Sequence, residues 1–144
     1  MSISVSKVGH VVLRVSDLRR SLDFYETLGL REVARRDFGE GPMAFLSTGN
    51  AHHDLALVEA DAPRGAALHH FALKVGDSIP ELAATRTALE SAGLTVHMAL
   101  DHKVSQGLYI TDPDGNMIEL YVDAPEQTWR DDPSLVANSD PLAL

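Results

Sequence analysis

The sequence contains no cysteine, no long apolar run and few basic residues, and each absence excludes a class of protein. Without cysteine there can be no disulfide and no thiolate chemistry, which is compatible with a cytoplasmic location. No run approaches the roughly 18 apolar residues of a membrane span, and the N-terminus does not show the pattern of a signal peptide. The net charge of −9 argues against nucleic acid or an anionic membrane as a partner.

What is present is enough apolar material for one globular domain, since 44% of the 144 residues are hydrophobic. Strict alternation predicts a strand over residues 8–15, and helical spacing predicts a helix that begins at Ser16–Asp17 and ends at Gly29. Further strands are predicted over residues 31–36, 43–47 and 54–58, separated by turns that contain glycine, proline or asparagine.

The same order of elements then occurs a second time. A strand over 69–75 precedes a helix from Ser78 to Gly93, and three strands are predicted near 95–99, 108–111 and 117–122. An offset of 60 residues superposes His10 on His70 and Asp17 on Asp77.

We therefore predict an α+β fold of two tandem βαβββ modules, at about residues 7–60 and 67–123. Their curved mixed sheets form a metal-holding cup, with the helices on the outer face. The tail, residues 124–144, shows no periodicity and is expected to be a partly ordered extension, with Trp129 over the cup or at an interface.

The last two strands form a predicted hairpin. Asp112-Pro113-Asp114-Gly115 fits a type I turn, and a glycine bulge at its end would pair Asp112 with Asn116. Counting outward from that pair places Tyr109 directly opposite Glu119, so the phenol and the carboxylate share one face.

The repeat also predicts which histidines face the cup. Packing the apolar side of each first strand under its helix leaves His10 and His70 on the cup side, whereas parity places His69 on the apolar side. Glu119 reaches the cup by the same criterion. Two imidazoles and one carboxylate suit Fe(II), Mn(II) or Zn(II), and they leave coordination positions open for substrate or oxygen.

Four segments of the sequence resemble the vicinal oxygen chelate superfamily, whose members pair βαβββ modules around a metal. These segments are GHVVLRVSDLRRSLDFYETLGL, HHDLALVE, LHHFALKV and DHKVSQGLYITDPDGNMIELY. The likeness extends from about Val8 to Trp129, and its last segment is most similar to compact extradiol dioxygenases of the catechol 2,3-dioxygenase type. The resemblance implies an Fe(II) cofactor, with Mn(II) as an alternative, and as substrates a small aromatic diol and O₂.

By position, the resemblance implies that His10, His70 and Glu119 are the metal ligands. It further implies that His53 handles a substrate proton and that Tyr109 and His102 lie beside the substrate. Strict alternation along the 54–58 strand instead directs His52 into the cup, so His52 and His53 are alternatives for this role.

The sequence is compatible with two other functions. A glyoxalase-like lyase or isomerase of this superfamily usually has a fourth protein ligand, often glutamate, on the last strand of the first module, where Glu59 lies past the useful end of the predicted strand. A metal-free small-molecule binder would not need all three candidate ligands. A homodimer or larger homo-oligomer is expected, because edge strands can pair between chains.

Overall fold

The structure is a computed structural model, and it describes residues 3–27, 30–60, 68–111 and 117–144. In these ranges the strands are β1 Lys7–Val15, β2 Arg31–Asp37, β3 Pro42–Ser47, β4 Leu55–Glu59, β5 Leu68–Gly76, β6 Met98–Asp101, β7 Ser105–Thr111, β8 Met117–Asp123 and β9 Asp140–Pro141. The helices are α1 Leu18–Thr27, α2 Ile79–Ser91 and α3 Glu126–Asp131, followed by a short 3₁₀ helix over Pro133–Ala137. Among these helices, none is long and apolar enough to cross a membrane.

The strands of the described ranges form one mixed sheet in the order β2-β3-β4-β1-β5-β8-β7-β6-β9. Each predicted βαβββ unit contributes four strands, and in each unit the first strand pairs in parallel with the last. β1 and β5 pair antiparallel at the centre and join the two units. The sheet curls into a half-barrel, which confirms the predicted α+β fold class.

The outer face of the sheet is covered by the two long helices. Leu18 and Leu22 of α1 pack against Leu46 and Leu57, with Leu13 beside them. α2 covers the second unit in the same way, through a cluster made by Leu82, Leu89, Leu108, Ile110, Leu120 and Val122. The apolar sides of both first strands therefore lie under the helices as predicted, and the opposite face is free to form the cup.

The helix termini follow the local sequence signals. Asp17 caps α1, since its Oδ1 accepts a hydrogen bond from the amide of Arg20 at 2.9 Å. At the start of α2 the Ser78 side chain makes no cap bond, and instead its hydroxyl donates to Glu81. Gly93 has a φ of +76°, the left-handed conformation that favours glycine after a helix. The predicted stop at Gly29 lies outside the described residues.

The predicted hairpin register is confirmed, because Tyr109 pairs with Glu119 in the β7–β8 ladder. The turn predicted at Asp112–Gly115 lies outside the described residues. β7 begins at Ser105, three residues earlier than predicted, and β6 begins at Met98 instead of near Thr95. The shift of β6 follows its pairing, since Met98 is paired with Tyr109 and the β7 partner strand ends two residues later, at Thr111.

The expectation of a partly ordered tail is corrected. After α3 and the 3₁₀ helix, β9 pairs with β6 and extends the sheet. Val136 is buried in the apolar cluster on the cup face of the first unit, and Trp129 packs against the same cluster. The tail therefore crosses the cup from one unit to the other. Its elements are too short to give a periodic sequence pattern.

Candidate metal centre

Three neighbouring strands, β1, β5 and β8, bring the three predicted ligands together. His10 lies on β1, His70 on β5, and Glu119 on β8, where it is paired with Ala72. The two Nε2 atoms are 3.3 Å apart. Glu119 Oε2 is 3.3 Å from His10 Nε2 and 3.5 Å from His70 Nε2, and all three side chains are buried.

These distances fit a shared metal ion. With metal–ligand bonds of about 2.1 Å, neighbouring ligand atoms are separated by about 3.0 Å at a right angle and about 3.4 Å at a tetrahedral angle. His10 Nδ1 and Glu119 Oε1 are buried without a hydrogen-bond partner among the described atoms. A buried carboxylate oxygen without a partner lowers the stability of the fold unless a cation or a hydrogen-bond donor contacts it. The residues present therefore fit a divalent metal.

The electrostatics also favour a cation. Burial acts to raise the pKa of Glu119, but contacts with the imidazoles of His10 and His70 outweigh it and hold that pKa well below its usual value. The carboxylate is therefore ionised at neutral pH in an enclosed place, where opposite charge is attracted most strongly.

His69 orients His70, which corrects the placement of His69 on the helix side of the strand. The β1–β5 register shifts between the pairs Val12–His70 and Leu13–Leu68, so His69 is the extra residue of a bulge and alternation fails there. Its Nε2 is 3.1 Å from Glu40 and its Nδ1 is 2.8 Å from His70 Nδ1. Since a carboxylate only accepts, His69 carries its hydrogen on Nε2, and its bare Nδ1 accepts from His70. His70 Nε2 is then left bare, as a metal ligand requires.

The two candidates for the proton-handling role have different surroundings. The ring centroid of His53 lies 4.2 Å from that of His10, and His53 lines the cavity at the three candidate ligands. His52 is buried beside it but reaches Asp123, at 3.0 Å. Both histidines precede β4 in irregular backbone, so the alternation argument that favoured His52 does not apply to them.

His102 and Tyr109 form a hydrogen-bonded pair on the opposite wall. His102 Nδ1 is 2.6 Å from the carbonyl oxygen of Asn138 in the tail, and its Nε2 is 2.9 Å from the Tyr109 hydroxyl. The carbonyl can only accept, so a neutral His102 has a bare Nε2 that accepts from Tyr109. Burial, and then the nearby Glu119 charge, raise the pKa of Tyr109 well above its ordinary value, so the phenol stays protonated.

A cavity of about 370 Å³ opens onto the three candidate ligands. Most of its wall is apolar, and several wall residues were not singled out from the sequence because they come from distant segments. These residues are Phe38, Met43, Phe45, Met98, Leu100 and Ser139.

Gly107 is a further residue that sequence reasoning missed. A Cβ at this position would lie 2.5 Å from Glu119 Oε1, so the carboxylate occupies the space that a side chain would fill. Glycine inside a strand is a signal for such a close approach.

The position equivalent to Glu119 in the first unit is occupied by alanine. Ala72 pairs with Glu119 in the second unit, and its counterpart Val12 pairs with Ala56 in the first. Glu59 does not replace the missing carboxylate, because its Oε2 accepts from the amide of Leu18 at 2.7 Å, at the start of α1. The first unit therefore places no glutamate at the centre among its described residues.

A curled sheet of two βαβββ units around a buried His-His-Glu group that could hold a metal defines the class of this protein. Residues 7–120 match the model of the Glyoxalase/Bleomycin resistance protein/Dioxygenase superfamily. The chain therefore belongs to that superfamily.

Individual relatives differ in activity and in length. Catechol-2,3-dioxygenase of Bacillus subtilis (strain 168) is 32% identical over 131 residues, which cover 87% of this chain but only 44% of that protein. A lactoylglutathione lyase of Neisseria meningitidis is 33% identical over 123 residues, which cover 77% of this chain and 86% of the lyase. The crystal structure of a halotolerant catechol dioxygenase superposes with a TM-score of 0.67 at 24% identity, covering 88% of this chain and 45% of that one. The last match shows the fold alone.

Proposed function

We propose that this protein is an Fe(II)-dependent extradiol dioxygenase that cleaves a catechol-type ring beside its paired hydroxyls, giving a semialdehyde product. The observation that carries the proposal is a three-donor centre whose fourth symmetry-related position is Ala56. A centre with three protein ligands leaves positions for two substrate oxygens and O₂. The similarity to a catechol-2,3-dioxygenase supports the same activity.

His10, His70 and Glu119 would hold the metal, Fe(II) or alternatively Mn(II). When bound, it supplies a Lewis acid that lowers the pKa of a coordinated hydroxyl and a redox centre for O₂ chemistry. The buried, ionised Glu119 and the bare Nε2 of His70 prepare the site for that cation before it binds.

His53 would take a proton from the diol. Burial, followed by the nearby His10 and His52, holds the pKa of His53 well below its ordinary value, so it is neutral at pH 7 and can accept a proton. The neighbouring cavity wall is suited to an aromatic ring, since Phe45 and Met43 are apolar and buried there.

Tyr109 and His102 complete the polar side of the cavity. In the structure the Tyr109 hydroxyl donates to His102 Nε2, and the tail carbonyl of Asn138 holds His102 behind it. With a substrate bound, the same hydrogen would instead be donated to a substrate oxygen. Preorganised donors of this kind stabilise charge that develops during a reaction, typically by ~2.7–4 kcal/mol each.

The test is oxygen consumption. Protein loaded anaerobically with Fe(II) and mixed with a panel of catechols should consume oxygen and form a yellow ring-fission product. Consumption of no oxygen, with turnover of a glutathione thiohemiacetal instead, would assign lyase chemistry. Absence of metal from protein made in iron-supplemented medium would assign a metal-free binder.

A glyoxalase-like lyase is the second candidate, supported by similarity to a lactoylglutathione lyase. That lyase, from Neisseria meningitidis, is 33% identical to this chain over 123 residues. The alanine at position 56 argues against it, because a lyase site of this superfamily usually has a carboxylate on that strand. For either activity we expect a homodimer or larger assembly, which light scattering after size-exclusion chromatography measures.

A further inference from the structure

A row of side chains in hydrogen-bonding contact leads away from the candidate metal centre, from His53 through His52 to Asp123. His53 lines the cavity that opens onto the candidate ligands, and it also lines a separate cavity of about 420 Å³ together with His52, Lys74 and Asp123. His53 Nδ1 is 2.6 Å from His52 Nδ1, and His52 Nε2 is 3.0 Å from Asp123 Oδ1. Lys74 Nζ lies 3.0 Å from the other oxygen of the same carboxylate.

We propose that Asp123 is a positioning residue that, through His52, fixes the hydrogen of His53 on Nδ1 and keeps its Nε2 bare. The proposal deepens the proposed function, because a bare nitrogen is what His53 needs in order to accept a substrate proton.

The assignment follows from donors and acceptors. An ionised carboxylate only accepts, so His52 carries a hydrogen on Nε2, and the Nδ1 of a neutral His52 is bare. Two bare nitrogens 2.6 Å apart would repel each other, so the hydrogen between the rings belongs to His53 Nδ1. Neutral His53 then has no hydrogen on Nε2. His52 is 8% exposed and His53 5%, so bulk water does not replace these bonds.

Asp123→Asn is the decisive variant because Lys74 dictates how asparagine would lie. The ammonium of Lys74 only donates, so the amide oxygen of the new side chain would face Lys74 and its NH₂ group would face His52. A donor at that point moves the hydrogen of His52 to Nδ1 and the hydrogen of His53 to Nε2. Lys74→Met is the matched control, since it leaves Asp123 Oδ1 free to accept from His52.

The direct measurement is ¹⁵N NMR of histidine-labelled, metal-free protein, in which protonated and bare ring nitrogens resonate in separate ranges. The signals of His52 and His53 are identified from His52→Gln and His53→Gln variants. We expect wild type and Lys74→Met to carry hydrogen on His52 Nε2 and His53 Nδ1, and Asp123→Asn to show both positions exchanged. Wild-type protein with a hydrogen on His52 Nδ1, or an Asp123→Asn spectrum unchanged from wild type, would overturn the proposal.

The kinetic measurement uses the iron-loaded protein. Asp123→Asn should lower kcat about 10- to 100-fold, the usual effect of losing an outer-shell partner, with KM and iron content little changed. Lys74→Met should keep kcat within about twofold of wild type. An equal loss in both variants contradicts positioning through His52. If wild type consumes no oxygen, the proposed function fails while the NMR result still decides the hydrogen positions.

Discussion

The two βαβββ units share one topology but contribute unequally to the candidate metal centre. Within the described ranges, the first unit places one imidazole there, from His10, and the second places His70 and Glu119. At the equivalent strand position the first unit has Ala56, which is fully buried in an apolar cluster. A duplicated scaffold thus gives an asymmetric group of three donors, without a carboxylate at the equivalent position of the first unit.

The largest expected effect comes from removing a donor of the second unit. His70→Ala should abolish iron retention and ring cleavage together, because two remaining ligands hold a divalent ion poorly. Metal analysis and oxygen uptake measure both. His97→Ala is the control, since the His97 side chain is exposed and its hydrogen bond in the described structure is to Thr111. Wild-type iron content in His70→Ala would mean that another residue is the ligand.

A carboxylate at the equivalent position of the first unit should reduce activity nearly as much as His70→Ala does, but it should not remove the metal. Ala56→Glu supplies a fourth carboxylate, so we expect bound metal to remain while oxygen uptake is lost. Overpacking a fully buried site costs about 1–3 kcal/mol of stability, which thermal unfolding measures. Ala56→Gln has the same volume and a weaker ligand. If the Gln and Glu variants lose metal and activity equally, oxygen uptake does not depend on a coordination position left open by Ala56.

Tyr109→Phe should act on the rate alone. The β7–β8 pairing places Tyr109 opposite Glu119, and its hydroxyl is 2.9 Å from His102 Nε2. We expect iron content to be kept and kcat to fall about 10²–10³-fold, the typical cost of losing a preorganised donor. Full activity in this variant would remove Tyr109 from the mechanism.

The smallest effect is expected at the outer partner of His70. Glu40→Gln should reverse the hydrogen positions of His69 and His70, because Arg14 only donates and lies 3.6 Å from the other Glu40 oxygen. Metal affinity should fall about 10- to 100-fold in a chelator competition assay. Glu32→Gln, which removes a carboxylate bonded to Arg35 on the same hairpin, is the matched control. Equal metal affinities in the two variants would mean that Glu40 does not affect the metal site through His70.

Much of the site could be predicted from the sequence because the relevant signals are local. Alternation within β1 and β5 gives the faces of His10 and His70, and hairpin counting gives the Tyr109–Glu119 pair. The same reasoning fails where the backbone leaves the regular ladder. His69 occupies a bulge and His52 precedes a strand, so parity places both on the wrong side.

The tail shows a different limit. No sequence period marks residues 126–141, yet the carbonyl of Asn138 fixes the orientation of His102 and Ser139 lines the cavity. Gly107 is similar, since its small size matters only because Glu119 lies over it.

The sequence by itself determined the duplicated βαβββ order and the residue types available to a metal, because period and turn chemistry act over a few residues. Only the tertiary structure decided how closely the donors approach, which nitrogens of His53 and His70 are bare, and that Ala56 occupies the position equivalent to Glu119. Those outcomes depend on strand register, on a bulge and on a tail that crosses the cup, and each joins residues far apart in the chain.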